Sequence, residues 1–131
     1  MGALGFVIVF VGAGLGGMAR HGMNIVVGTI AGTGFPMGTL VVNVSGCFIM
    51  AIIAEYFAQR SGLPQEWRLF LTTGVLGGYT TFSAFSLDTV LLVERGQFGA
   101  AVGYAAASVF VSLGALLLGL MLVRALLAGA S

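Results

Sequence analysis

A run of small and hydroxyl-bearing residues, Gly74-Val75-Leu76-Gly77-Gly78-Tyr79-Thr80-Thr81-Phe82-Ser83-Ala84-Phe85, lies in the middle of the third of four long apolar segments. Glycine and β-branched threonine form helix less readily than alanine or leucine, so a helix is weakest here. In hydrocarbon, an opened turn survives only where protein buries it or where it lines a cavity. Freed carbonyls at such a break can face a cation, and freed N–H groups an anion. A kink, or a glycine surface for close helix packing, accounts for the same composition. Spacing alone leaves the two readings level.

Other polar residues recur at helical spacing. Thr39 and Asn43 are four apart and share a face of the second segment. An asparagine near mid-span is costly without partners, and its amide offers two N–H donors and one acceptor. It suits either a helix–helix hydrogen bond or the lining of an anion path. Phe82 and Phe85, three apart, could turn positive ring edges toward an anion, although such pairs are usually packing. In the fourth segment Tyr104, Ser108 and Ser112 recur every four residues as one hydroxyl stripe. Hydroxyls can donate to an anion without holding it by full charge. Ala105, Ala106, Ala107 and Gly114 alongside would also suit small-residue packing, but the regularity favours the stripe. Arg20 follows Gly16-Gly17 near the inner end of the first segment, where it either snorkels or draws anions into a vestibule. Asp88 and Glu55 fall toward helix ends, as caps or arginine partners.

The elements that must position these residues follow from composition. Of 131 residues, 59% are hydrophobic and 7% charged, with mean hydropathy +1.11, which no soluble domain of this size can bury. The pattern predicts an all-α membrane protein forming one domain over residues 1–131, with spans at about 3–27, 36–58, 68–93 and 98–122. The N-terminus lacks a basic leader region and is taken as the start of the first span. A Gly/Thr loop precedes Pro36, which suits the first turn of a helix. Trp67 and Arg68 form an interfacial anchor for the broken third helix.

All five basic residues are arginines. Four spans place Arg60, Arg68 and Arg124 on one side and Arg20 and Arg95 on the other. Three against two is almost no positive-inside bias, which favours insertion in both orientations over a single one fixed by one arginine. Dual insertion leads naturally to an antiparallel dimer, and four helices alone make a poor pore. The net charge of +1 excludes a basic nucleic-acid surface. The single cysteine, Cys47, is read as a small buried hydrophobe. No metal-ligand spacing, nucleotide loop or Ser/His/Asp order is present, and His21 stands alone beside Arg20, which argues against an enzyme. Hydroxyl, amide and ring-edge donors without a deep fixed charge describe a lining for a small anion that must shed water and still leave.

Three strings carry a resemblance: Gly38-Thr39-Leu40-Val41-Val42-Asn43-Val44-Ser45-Gly46, Gly77-Gly78-Tyr79-Thr80-Thr81-Phe82-Ser83-Ala84-Phe85-Ser86, and Gly16-Gly17-Met18-Ala19-Arg20. Through them the chain resembles the Fluc-type fluoride channels (CrcB-like proteins) over all four spans. The second string is highly specific and the first moderately so. The resemblance implies a dual-topology, antiparallel homodimer in the cell's inner membrane, with two fluoride pores. It further implies a structural sodium ion on the dimer axis, held by backbone carbonyls of Gly77 and Thr80. Asn43, Thr39, Phe82 and Phe85 would line the pore, Tyr104, Ser108 and Ser112 would form the hydroxyl track, and Arg20 would sit in the vestibule. His21, Ala84 and Asp88 depart from residues frequent in that family, and Leu116 ends the stripe at Ser112.

The implied activity is passive. Hydrogen fluoride crosses membranes as a neutral acid and ionises in a more alkaline cytoplasm, and a pore lets the anion run back down its electrochemical gradient. A four-helix exporter of organic cations is the alternative, although it would want a deep acid. An assembly subunit of a larger complex is a third reading.

Overall fold

The computed structural model describes residues 2–130. All of its regular elements are helical, with no strand among the described residues. Helix α1 spans Gly2–Ala31 and α2 spans Met37–Gln59. The third segment is composite: α3 (Gln65–Leu69), a π-helix (Phe70–Leu76) and α4 (Gly77–Tyr79) follow one another, then Thr80 and Thr81 are extended before α5 (Phe82–Glu94). Helix α6 closes the chain over Phe98–Ala130. Four segments are therefore long and apolar enough to cross a membrane, the third taken as Gln65–Glu94.

The helices outrun the expected spans. Helix α1 continues through Thr29, whose hydroxyl donates to the Val26 carbonyl at 2.7 Å, and stops at Gly32. Gly32 has φ +76°, a left-handed conformation that glycine adopts without Cβ strain. Pro36 caps α2 rather than occupying its first turn. Helix α6 meets no proline and runs past residue 122; its 33 residues rise about 50 Å, well beyond a hydrocarbon core of about 30 Å.

The glycines of the third segment turn out to be helical, and only Thr80-Thr81 breaks the chain. Glycines bring two backbones together instead. A Cβ on Gly12 of α1 would lie 2.8 Å from the Phe70 carbonyl oxygen and 2.9 Å from Gly74 Cα. One on Gly16 would overlap the Val75 carbonyl oxygen, and one on Gly78 would run into the Ala13 backbone. Small residues permit this approach where lipid supplies no hydrophobic drive between helices. Packing and break are both present, on adjacent residues.

Two cores hold the bundle. Val42, Leu76 and Tyr79 form one, and Leu92, Ala101 and Tyr104 the other, with Phe35, Leu40 and Phe85 against the second. Helix α2 packs along α6, and Gly119 lets α6 approach the Phe48 carbonyl of α2. At one end Arg124 donates to Glu55 at 3.0 and 3.5 Å, and Gln59 donates to the same carboxylate at 2.9 Å. Outward side chains such as Phe6, Phe10, Ile30 and Phe110 are exposed, as suits a surface solvated by acyl chains.

Candidate functional site

The break is braced by one side chain. Thr80 ends the preceding helical run, its N–H and its hydroxyl both donating to the Leu76 carbonyl at 3.0 and 2.9 Å. In a continuous helix the Thr81 N–H would bond to the carbonyl of Gly77. Here it donates to Asn43 Oδ1 at 2.8 Å, while Asn43 Nδ2 donates to the Thr81 carbonyl at 2.9 Å. The Thr81 hydroxyl in turn accepts from the Ala84 N–H at 3.1 Å as the N-cap of α5. That N–H would otherwise bond to the carbonyl of Thr80. The carbonyls of Gly77 and Thr80 thus each lose their helical partner to a side chain. A second amide proton of Asn43 is left over, because only one of its two is used on Thr81.

Beside the break lies a cavity of about 350 Å³ lined by Asn43, Phe82, Phe85, Ser108 and Ser112, with Cys47, Thr80 and Thr81 among its other walls. Ser108 and Ser112 are 8% and 9% exposed, yet neither Oγ has a hydrogen-bond partner. Buried hydroxyls are nearly always paired, so two unpartnered ones on successive turns of α6 stand out. Ser108 lies beside the Tyr104 hydroxyl without reaching hydrogen-bond geometry. Phe82, Phe85, Val109 and Leu113 are the apolar walls.

A second cavity of about 250 Å³ opens on the far side of Tyr104, lined by Asn24, Phe35, Thr39, Asp88 and Arg95 among others. Tyr104 is fully buried and touches the lining of both cavities. Its ring meets Phe35 edge-on at 5.5 Å and Phe85 at 5.4 Å, and Phe85 stands 5.5 Å from Phe82. Its hydroxyl donates to Asp88 Oδ2 at 3.0 Å. A phenol carries one proton, so this residue has none left for an anion while the bond stands. Ser108 and Ser112 keep theirs.

The expected residues are therefore largely assembled along one line. Thr39 and Asn43 on α2 run beside Tyr104, Ser108 and Ser112 on α6, with Thr39 in the outer cavity and Asn43 in the inner one. Phe82 is 79% exposed at the cavity edge, whereas Phe85 is half-buried. Arg20 is half-buried on α1 and lines neither cavity. The arginine at the outer cavity is Arg95, from the turn between α5 and α6. Arg95 is seven residues after Asp88, but nothing in the chain's periodicity links it to Asn24 or Phe35 on other elements. Among the described residues no group of three or more His, Cys, Asp or Glu could hold a metal ion.

A small multi-pass membrane protein with a broken helix beside a partly polar intramembrane cavity is the class these features define. The chain belongs to the CrcB-like family, whose model matches residues 7–120 and is described as "CrcB-like protein, Camphor Resistance (CrcB)". It is similar to a fluoride-specific ion channel of Granulibacter bethesdensis, 58% identical over 96% of this chain and 99% of the relative. Fluoride-specific ion channels of Rhodopseudomonas palustris and Paracoccus denitrificans are 53% and 49% identical, covering 92% and 94% of this chain and 98% and 97% of the relatives.

Proposed function

We infer that this chain is a fluoride channel of the cell membrane, passing the anion passively from the cytoplasm down its electrochemical gradient. The observation that carries the reading is the pair of buried, unpartnered hydroxyls at Ser108 and Ser112 beside the inner cavity. A small hard anion accepts hydrogen bonds from hydroxyl and amide protons, and the remaining Asn43 proton supports the same lining. No full cationic charge stands at this cavity, so the anion is held weakly enough to leave. The outer cavity, lined by both Asp88 and Arg95, serves as vestibule, and Arg20 lines neither cavity. The organic-cation exporter has no support from the relatives, each a fluoride-specific channel.

The working unit in this proposal is an antiparallel homodimer with two pores, inserted in both orientations. The exposed Phe82 at the cavity edge supports it, since a second copy would close that side. A sodium ion on the two-fold axis would be held by the Gly77 and Thr80 carbonyls of both protomers. Their diverted helical partners fit this role: freed carbonyl oxygens are the hard donors such a cation requires. The ion would tie the two breaks together without entering the anion path.

The test is efflux from liposomes holding the purified protein, followed with a fluoride electrode and with chloride efflux in parallel. Rapid fluoride release with negligible chloride release is expected. Silence for both anions from a folded dimer would overturn the channel reading.

A further inference from the structure

The lining of the outer cavity holds one acid and one base, Asp88 and Arg95, beside the neutral polar residues Asn24, Thr33 and Thr39. Asp88 lies within α5 and Arg95 caps it, seven residues on and about 10 Å further along the axis. The two are not an ion pair. Among the described residues the only salt bridge joins Arg124 to Glu55. Asp88 accepts the Tyr104 hydroxyl at 3.0 Å, a neutral donor that leaves the carboxylate its charge. The Arg95 side chain makes one long hydrogen bond, from Nε to the Leu91 carbonyl at 3.4 Å.

A carboxylate at the mouth of an anion path repels what the path must carry, and the field in a cleft sets how much of a charged solute reaches it. We propose that Arg95 is the charge-compensating residue of the fluoride entrance, its guanidinium cancelling the field of Asp88 at the outer cavity. The proposal rests on the reading of that cavity as the vestibule. With both charges present, an approaching anion meets a nearly neutral mouth. Without the arginine the mouth is negative, and without the acid it is positive. Salt separates these cases, because the screening length falls from about 30 Å at 0.01 M to about 8 Å at 0.15 M. Glutamine at position 95 keeps the backbone N–H that closes α5 on the Leu91 carbonyl at 3.1 Å. Arg95 also belongs to neither core, so its side chain can be exchanged without unpacking the bundle.

The experiment measures fluoride efflux from liposomes at sub-saturating fluoride, at ionic strengths of about 0.01 M and about 0.15 M set with sodium gluconate. It compares the unaltered protein with Arg95→Gln, Arg95→Lys, Asp88→Asn and the double variant Arg95→Gln/Asp88→Asn. At low salt Arg95→Gln should conduct about fivefold less than the unaltered protein and regain most of that flux at high salt, while Arg95→Lys stays within about twofold. Asp88→Asn should slope the other way, losing flux as salt rises, and the double variant should be nearly flat. Arg60→Gln removes the same charge at the C-cap of α2, lines neither cavity, and should match the unaltered protein. A packing role for Arg95 would not produce slopes of opposite sign. Conduction by the unaltered protein, with no salt-dependent loss in Arg95→Gln or no slope in Asp88→Asn, would overturn the compensating role and leave the channel reading standing. An equal loss in Arg60→Gln would overturn the local assignment in favour of net charge. Silence of the unaltered protein toward fluoride would instead remove the channel reading, and this proposal with it.

Discussion

Asn43 and Thr81 exchange two hydrogen bonds, 2.9 Å from the amide nitrogen to the carbonyl and 2.8 Å from the backbone N–H to the amide oxygen. One side chain on α2 thereby imitates the strand-like partner that an extended residue needs inside a membrane. It also diverts the proton that would have closed the helix onto Gly77. Asn43 is thus both a brace of the break and a wall of the inner cavity. An amide has donors enough to brace Thr81 and, in the proposed reading, also to face the anion.

Asn43→Asp is expected to abolish the brace, setting a carboxylate oxygen against the Thr81 carbonyl and a negative charge beside the anion. Asn43→Ala leaves two backbone groups unpaired, a cost of about 1–3 kcal/mol each at most. Fluoride efflux should fall by about tenfold or more in both, with Asp the worse of the two in conduction. Wild-type flux in Asn43→Asp would remove Asn43 from the path.

Ser112→Ala removes a hydroxyl that satisfies nothing within the chain. Its melting temperature should hold or rise, since a buried unpaired hydroxyl costs about 1–3 kcal/mol. Its fluoride flux should drop. This opposition is diagnostic: a serine kept for packing would lose neither, and one kept for a hidden hydrogen bond would lose stability.

Gly16→Ala should be poorly tolerated, because the new methyl group meets the Val75 carbonyl and neither backbone can give way alone. Overpacking of this kind costs about 1–3 kcal/mol. Gly14→Ala, on the same helix with nothing within 4 Å of the added carbon, is the control. Thermal melts in detergent should separate the two, and equal melting would mean the helices slide apart readily.

Phe82→Ile keeps the fold, for the residue is 79% exposed and its ring rests beside that of Phe85 at 5.5 Å. Conduction should decrease while size-exclusion chromatography shows an intact dimer. An unchanged rate would assign Phe82 to lipid or to the partner surface alone.

Sodium is expected as spherical density on a two-fold axis among the carbonyl oxygens of Gly77 and Thr80. Exchanging sodium for a large organic cation should weaken the dimer and slow fluoride efflux. Unaltered assembly and flux, with no density on the axis, would count against the ion. Side-chain substitution cannot make this test, because the donors belong to the backbone.

Much of this molecule was legible in the chain itself. Length and hydropathy placed four apolar segments, because a span of hydrocarbon demands about 20 apolar residues whatever they pack against. Period-four recurrence put Tyr104, Ser108 and Ser112 on one face of α6, and Thr39 with Asn43 on one face of α2, since helix geometry alone fixes which residues align. The weakness of the third segment followed from its glycines and threonines. Its family strings, held together on one chain, led to the same channel family that the comparisons support.

Tertiary structure alone decided what each weak residue was for. Gly74 and Gly78 became contact surface because Gly12, Ala13 and Gly16 of α1 arrive opposite them; composition cannot say which small residues will meet. Thr80 and Thr81 became the break because Asn43, 38 residues earlier than Thr81, supplies the missing hydrogen bonds. Arg95 rather than Arg20 reached the outer cavity, and Tyr104 gave its proton to Asp88 sixteen positions away. Periodicity reports a residue's own helix and is silent about the neighbour. In a membrane, where hydrophobic burial does not rank one helix face above another, specific polar pairs and close backbone approaches across helices settle which face meets which.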